Sequence, residues 1–102
     1  MDMETIIMEI IANSGAARDF ALTAIENAVK KDKPPYQAAL KRAEAAIGEV
    51  HNVQTSLIQQ ECSGNGIEVT LLMVHAQDHL MAAMTIIDIA KSLSQIMEGD
   101  QK

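Results

Sequence analysis

Apolar residues recur every three to four positions along most of the chain, and two interruptions divide this pattern into three blocks. The first interruption is Lys31–Pro35, where proline cannot continue a preceding helix but can begin a new one. The second is Cys62–Val69, which contains two glycines. Because the spacing follows the helical repeat and not the two-residue repeat of strands, the pattern predicts three α-helices, over about residues 2–31, 35–61 and 70–97.

Three long helices with short links favour an all-α fold, an up-down-up three-helix bundle that forms a single domain over residues 1–102. The third block begins at Thr70, a hydroxyl residue suited to capping a helix. It is apolar on nearly every side, and such a helix is normally buried all round. Two partner helices within one chain cannot cover it. We therefore expect an oligomer in which the third helices meet in parallel around a symmetry axis.

Composition strengthens the expectation of an oligomer. Apolar residues make up 48% of the sequence, yet Phe20 and Tyr36 are its only aromatic residues. Aromatic rings supply much of the buried area of a small core, so this chain gains by burying aliphatic surface between subunits. A lone Cys62 and the lack of a signal-peptide pattern at the N-terminus predict a reducing compartment, the cytoplasm.

Charge excludes two classes of function. The sequence has eight Lys and Arg residues against fourteen Asp and Glu residues, without a basic stripe, which argues against binding to nucleic acid. The segment Val69–Ile87 is long enough to span a membrane, but it contains His75, Asp78 and His79. Three ionisable groups at mid-span are costly in lipid, so we expect no direct membrane insertion.

His75, Asp78 and His79 are spaced to lie on one face of the third helix, and three interpretations of them compete. The first is two hydrogen-bonded histidines beside a solvated aspartate. The second is a metal-binding helical protein that holds zinc within one chain, since HxxxH on a helix is a common ligand pair. The third is a nucleophilic imidazole that attacks a phosphoryl donor. The sequence has no glycine-rich phosphate loop, so that donor would be another protein.

The segment Leu72–Met81 (LMVHAQDHLM) resembles the active-site segment of the enzyme IIA component of the lactose/cellobiose (chitobiose) class of the bacterial phosphoenolpyruvate-dependent sugar phosphotransferase system. Ile10–Arg18 (IIANSGAAR) resembles the first-helix motif of that family, and Glu49–Thr55 (EVHNVQT) resembles its second-helix motif. Gly64–Val69 fits the loop before the third helix. The likeness covers about residues 6–97, with the motifs in the family's order and spacing.

This resemblance implies a homotrimer of three-helix subunits with the third helix near the three-fold axis. It implies a phosphocarrier, a transferase in which His75 is phosphorylated at Nε2 (tele-phosphohistidine) by phospho-HPr. The group then passes to a cysteine of the IIB component, for uptake and phosphorylation of a disaccharide or β-glucoside. Asp78 matches an acidic residue that three subunits bring together around a structural Mg²⁺, one per trimer. His79 and Gln77 match active-site neighbours.

The positions of three other polar residues bear on this site. Gln77 points about 200° around the helix from His75, so it reaches a neighbour's histidine more readily than its own. His51 and Gln54 are three residues apart on the second helix. We interpret them as an ordinary helix-face pair in preference to site residues. The sugar itself is recognised by the membrane component, so the sequence leaves lactose, cellobiose and chitobiose open.

Overall fold

The computed structural model describes residues 2–99, which form four helices: α1 (Met3–Val29), α2 (Lys33–Cys62), α3 (Leu71–Ser92) and a short α4 (Ser94–Gly99). The described part of the chain contains no strand, which confirms the predicted all-α, three-helix fold. The bundle is slender, with extents of 54 × 22 × 19 Å. The ends of the predicted domain, residue 1 and residues 100–102, lie outside the described residues.

Local signals in the sequence account for where the helices begin. At the start of α1 the Asp2 carboxylate accepts a hydrogen bond from the Glu4 N–H. Proline occupies the first turn of α2, where its missing N–H costs nothing. The Thr70 hydroxyl accepts from the Met73 N–H at 3.1 Å and caps α3 as predicted. After α2 the chain turns at Gly64, whose φ of +89° favours glycine.

The core lies along α1, which packs against both α2 and α3, whereas α2 and α3 touch each other less. One end of the bundle has an alanine-rich cluster, centred on Ala17, Ala21 and Ala24, that brings the helix backbones close together. The other end has an aliphatic cluster, formed by Ile7, Ile10, Val50, Met73, Ala76 and Leu80. Between the two on α1 lies Ser14, which is 1% exposed and whose hydroxyl has no hydrogen-bond partner in the described structure.

The third predicted helix does not run unbroken over residues 70–97. It ends at Ser92, and α4 begins at Ser94. The cause lies at the Ala90 carbonyl, which accepts hydrogen bonds from the Tyr36 hydroxyl at 2.6 Å and from the Leu93 N–H at 3.2 Å. A side chain that enters the helical ladder tightens the last turn to the i→i+3 pattern and ends the regular helix.

The outward face of α3 is apolar and uncovered. Val74, Met81 and Ile89 are each about half exposed, at 48%, 51% and 53%. Within residues 2–99, Leu71–Met97 is one segment long and apolar enough to cross a membrane by length and composition, and 28% of its most apolar window is buried. Core helices of soluble proteins pass the same test, but they do so mostly buried. A single chain therefore leaves this apolar face exposed, and another chain would be required to bury it.

Candidate functional site

His75 lies on the second turn of α3, and its side chain is exposed. The Thr70 hydroxyl binds the Met73 N–H at the start of this helix, and a helix N-terminus favours nearby negative charge. The third-helix placement predicted for this residue thus puts the imidazole where a partner can reach it. An added phosphoryl group would lie within the favourable field of the helix.

His79 contacts His75 directly. The Nε2 atoms of the two rings lie 3.1 Å apart, and the rings meet edge to face with centroids 4.5 Å apart. One of these nitrogens must donate and the other must accept, so the two imidazoles cannot hold the same tautomer at this contact. When His79 donates, the His75 Nε2 keeps a lone pair and its proton lies on Nδ1. In that tautomer the Nε2 lone pair accepts the hydrogen bond, and it becomes available as a nucleophile once His79 releases it.

Asp78 takes no part in the contact between His75 and His79. Its carboxylate is exposed, it forms no hydrogen bond or ion pair within residues 2–99, and it lies on the apolar outward face between Val74 and Met81. Across the described part of the chain, no three His, Cys, Asp or Glu side chains come together as a metal site. The structure therefore does not support the zinc site within one chain that would use His75, Asp78 and His79.

Gln77 is held by α2. The Gln54 Nε2 donates to the Gln77 Oε1 at 2.7 Å, and the Gln77 Nε2 donates to the Met73 Sδ at 3.4 Å. Sequence reasoning paired Gln54 with His51 on a helix face and missed this contact. His51 is in fact exposed, and its backbone carbonyl accepts the Thr55 hydroxyl. The available signal was that Gln54 immediately follows Val53 on the apolar side of α2.

Gln54, Met73 and Gln77 border a groove between α2 and α3. It has a volume of about 350 Å³ and a mostly apolar lining. The polar groups in it are Gln54, Gln77, Asp78 and Glu61. The groove lies between two helices that both pack on α1 and contact each other less. The groove therefore brings apolar surface, the Gln54–Gln77 amide pair and the Asp78 carboxylate to the part of α3 that carries His75.

The half of the bundle that carries His75 has no Lys or Arg. Residues 2–17 and 46–84 contain none, whereas they contain Asp2, Glu4, Glu9, Glu49, Glu61, Glu68 and Asp78. A phosphoryl group on His75 would therefore meet no cationic side chain from its own half of the chain. A fixed Lys or Arg beside it would have to come from another chain, and a metal ion is a further source of positive charge.

The chain matches one family of known proteins over most of its length. The family of lactose/cellobiose-specific IIA subunits of the phosphotransferase system matches residues 5–98. The lichenan-specific phosphotransferase enzyme IIA component of Bacillus subtilis is 43% identical over 97 residues, which cover 95% of this chain and 88% of that protein.

Solved structures share the fold. The cellobiose-specific enzyme IIA from Bacillus anthracis superimposes with a TM-score of 0.87 at 37% identity, covering 99% of this chain and 93% of that one. The chitobiose IIA of Escherichia coli, solved in complex with HPr, gives a TM-score of 0.79 at 32% identity, covering 100% of this chain and 99% of that one.

Proposed function

The chain belongs to the lactose/cellobiose-specific IIA family of the sugar phosphotransferase system, and from this premise we propose that His75 carries the phosphoryl group on its Nε2 atom. As a IIA component the protein is a phosphoryl carrier in the uptake of a disaccharide or β-glucoside. The observation that carries the residue assignment is the contact between the two Nε2 atoms at 3.1 Å on an exposed face. It supplies a nucleophile and a neighbour that selects its tautomer.

In the proposed reaction the hydrogen bond between His79 and His75 breaks, and the freed His75 Nε2 lone pair attacks the phosphorus of a phosphohistidine on HPr. The new N–P bond forms as the old one breaks, and the proton on Nδ1 stays in place. In the second step a cysteine thiolate of the IIB component attacks the same phosphorus, and His75 leaves as a neutral imidazole. Neither step needs covalent help from other groups, so the protein contributes mainly positioning. His79 is the positioning residue that keeps Nε2 unprotonated before the first step.

HPr is the proposed donor and the IIB component the proposed acceptor. The solved complex of the Escherichia coli chitobiose IIA with HPr supports the first of these. The charge distribution supports a partner with basic residues around its own site, because the His75 half offers carboxylates and no Lys or Arg. Opposite charge speeds the encounter of two proteins and weakens as salt is added. The operating compartment in this proposal is the cytoplasm.

The uncovered face of α3 supports the proposed homotrimer, with α3 of each subunit near the three-fold axis. Leu71, Val74, Asp78 and Met81 follow the alternating three- and four-residue spacing of a coiled-coil seam. A parallel trimer built on this seam would bury the apolar side chains. It would also bring three copies of Asp78 together. Within its own chain Gln77 is bound by Gln54 of α2 and Met73, so a contact with a neighbour's His75 would require that subunit to approach the groove between α2 and α3.

Asp78 fits the proposed Mg²⁺. Its carboxylate has no hydrogen-bond or ion-pair partner among residues 2–99, and oxygen ligands are those that Mg²⁺ prefers. Three carboxylates at close range repel one another, and a divalent cation relieves that repulsion. The ion would supply charge neutralisation at the trimer axis and thereby hold the subunits together.

The assignment of His75 is tested by phosphoryl transfer from phosphorylated HPr. Transfer is expected to label the protein once per chain, and His75→Ala is expected to abolish the label. His51→Ala is the matched control, because His51 is the one other histidine outside the pair and its side chain is exposed. Equal labelling of the His75→Ala and His51→Ala variants would show that the site is assigned wrongly.

A further inference from the structure

The link between α2 and α3 contains the sequence Asn65-Gly66, and both residues are exposed outside any helix. The Asn65 N–H donates to the Gln60 carbonyl at 2.9 Å. The Asn65 carboxamide and the Gly66 N–H have no hydrogen-bond partner within residues 2–99. The side-chain carbonyl of Asn65 and the next backbone nitrogen are therefore both available to each other, and Gly66 has no Cβ to obstruct their approach.

We propose that Asn65 is a modification site, where spontaneous deamidation converts asparagine to isoaspartate and aspartate. The Gly66 nitrogen loses its proton to solvent base and attacks the Asn65 Cγ. A C–N bond forms, and the side-chain amide leaves as ammonia, which produces a five-membered imide. Water then opens this ring. Cleavage at the side-chain carbonyl leaves aspartate, and cleavage at the main-chain carbonyl leaves isoaspartate.

The other asparagines of the chain lack this arrangement. Asn13, Asn27 and Asn52 lie inside α1 and α2, where the N–H of the following residue belongs to the helical ladder. The Asn27 carboxamide also donates to the Thr23 carbonyl at 3.0 Å. Each is followed by a residue with a side chain. The structure therefore assigns the reaction to one of the four asparagines.

Conversion at this position changes the loop that leads into α3. It adds a carboxylate at residue 65, in an acidic stretch that also holds Glu61 and Glu68. Isoaspartate also lengthens the main chain by one methylene just before Ile67, which packs against the aliphatic cluster. The product is a chain with an additional negative charge and an altered lead into the His75 helix.

The test follows the full-length folded protein in mildly alkaline buffer, using peptide mass mapping and isoaspartyl methyltransferase labelling. The peptide that contains Asn65 is expected to gain the mass of an amide-to-acid change and to accept the methyl label, at a rate comparable to that of the urea-denatured chain. The peptides with Asn13, Asn27 and Asn52 are expected to keep their masses.

Two glycine variants provide the control. Gly66→Ala places a Cβ against the flexible Glu61 side chain and is expected to remove most of the isoaspartate signal. Gly48→Ala adds a methyl group in open space within α2 and is expected to leave the signal unchanged. The proposal is overturned if folded protein reacts far more slowly than denatured protein, or if Gly66→Ala reacts as fast as wild type. The measurement requires no phosphoryl transfer, so its outcome is independent of the proposed function.

Discussion

Replacing Tyr36 with phenylalanine removes one hydroxyl and leaves the ring in place. The side chain is 2% exposed, and its hydroxyl donates to the Ala90 carbonyl at 2.6 Å, so the variant loses a buried hydrogen bond without opening a cavity. The Ala90 carbonyl keeps the Leu93 N–H as a donor at 3.2 Å, so it is not left unsatisfied. The expected cost is therefore that of the bond itself, about 1 kcal/mol, or about 4–8 °C in Tm for a domain of this size.

The same substitution has a pH signature. Burial, and secondarily the Glu44 carboxylate, raise the pKa of the Tyr36 hydroxyl above its ordinary value. The Lys91 Nζ atom lies 3.8 Å from the Glu44 Oε2 atom, and both side chains are exposed to solvent. Because the folded state favours the protonated phenol, its contribution to stability is complete below about pH 10 and is lost as the pH rises through the folded pKa. Tyr36→Phe has no such group, so its disadvantage relative to wild type is expected to shrink above pH 10.

Urea denaturation followed by circular dichroism measures both effects. The two proteins are compared at one chain concentration, since assembly would make stability depend on concentration. The expected result is a lower midpoint for Tyr36→Phe at neutral pH and a smaller gap at alkaline pH. Equal midpoints at neutral pH, or a gap that does not change with pH, would refute the role given to this hydroxyl.

Three other substitutions test separate parts of the structure. In sedimentation analysis, EDTA is expected to weaken the wild-type oligomer but to leave the assembly of Asp78→Leu unchanged. A wild-type oligomer that EDTA does not affect would contradict the metal proposal. Gln54→Leu is expected to slow transfer from phospho-HPr about fivefold, which corresponds to the loss of one hydrogen bond. Combined with Gln77→Leu it is expected to slow transfer no further than Gln77→Leu alone. Fully additive losses would show that the two amides act separately. Ser14→Ala is expected to raise the free energy of unfolding by about 1–3 kcal/mol, since it deletes a buried unpaired hydroxyl; a destabilised variant in urea denaturation would contradict that reasoning.

Short-range features of the fold were predictable from the sequence. The helical repeat and the Thr70 cap locate the helices because both depend on neighbours within a few residues. The i,i+4 spacing of His75 and His79 places their rings together, and the structure has them in contact. The membership in the family was also predictable, because it depends on motifs that stand in the sequence.

Features that depend on how the helices pack were not predictable. The third helix ends near the Ala90 carbonyl, which binds the Tyr36 hydroxyl from 54 residues away in the chain, and no local pattern reveals this contact. The bond from Gln54 to Gln77 depends on the relative register of α2 and α3, which their shared packing on α1 sets. The partner-free position of Asp78 likewise emerges only once the buried face of α3 is known.

The lack of Lys and Arg around His75 has a thermodynamic consequence for a protein that must pass its phosphoryl group onward. Cations fixed beside a phosphohistidine would stabilise the loaded carrier and lower its group-transfer potential, which would turn an intermediate into a trap. If His75 carries the group, as proposed, the described residues of its own chain offer the loaded state the field of a helix end and one neighbouring imidazole. A partner that brings its own cations stabilises the phosphoryl group only while the two proteins are in contact. In the proposed role, the charge pattern thus avoids a loss of transfer potential when the carrier is loaded, so the phosphoryl group stays available to the acceptor.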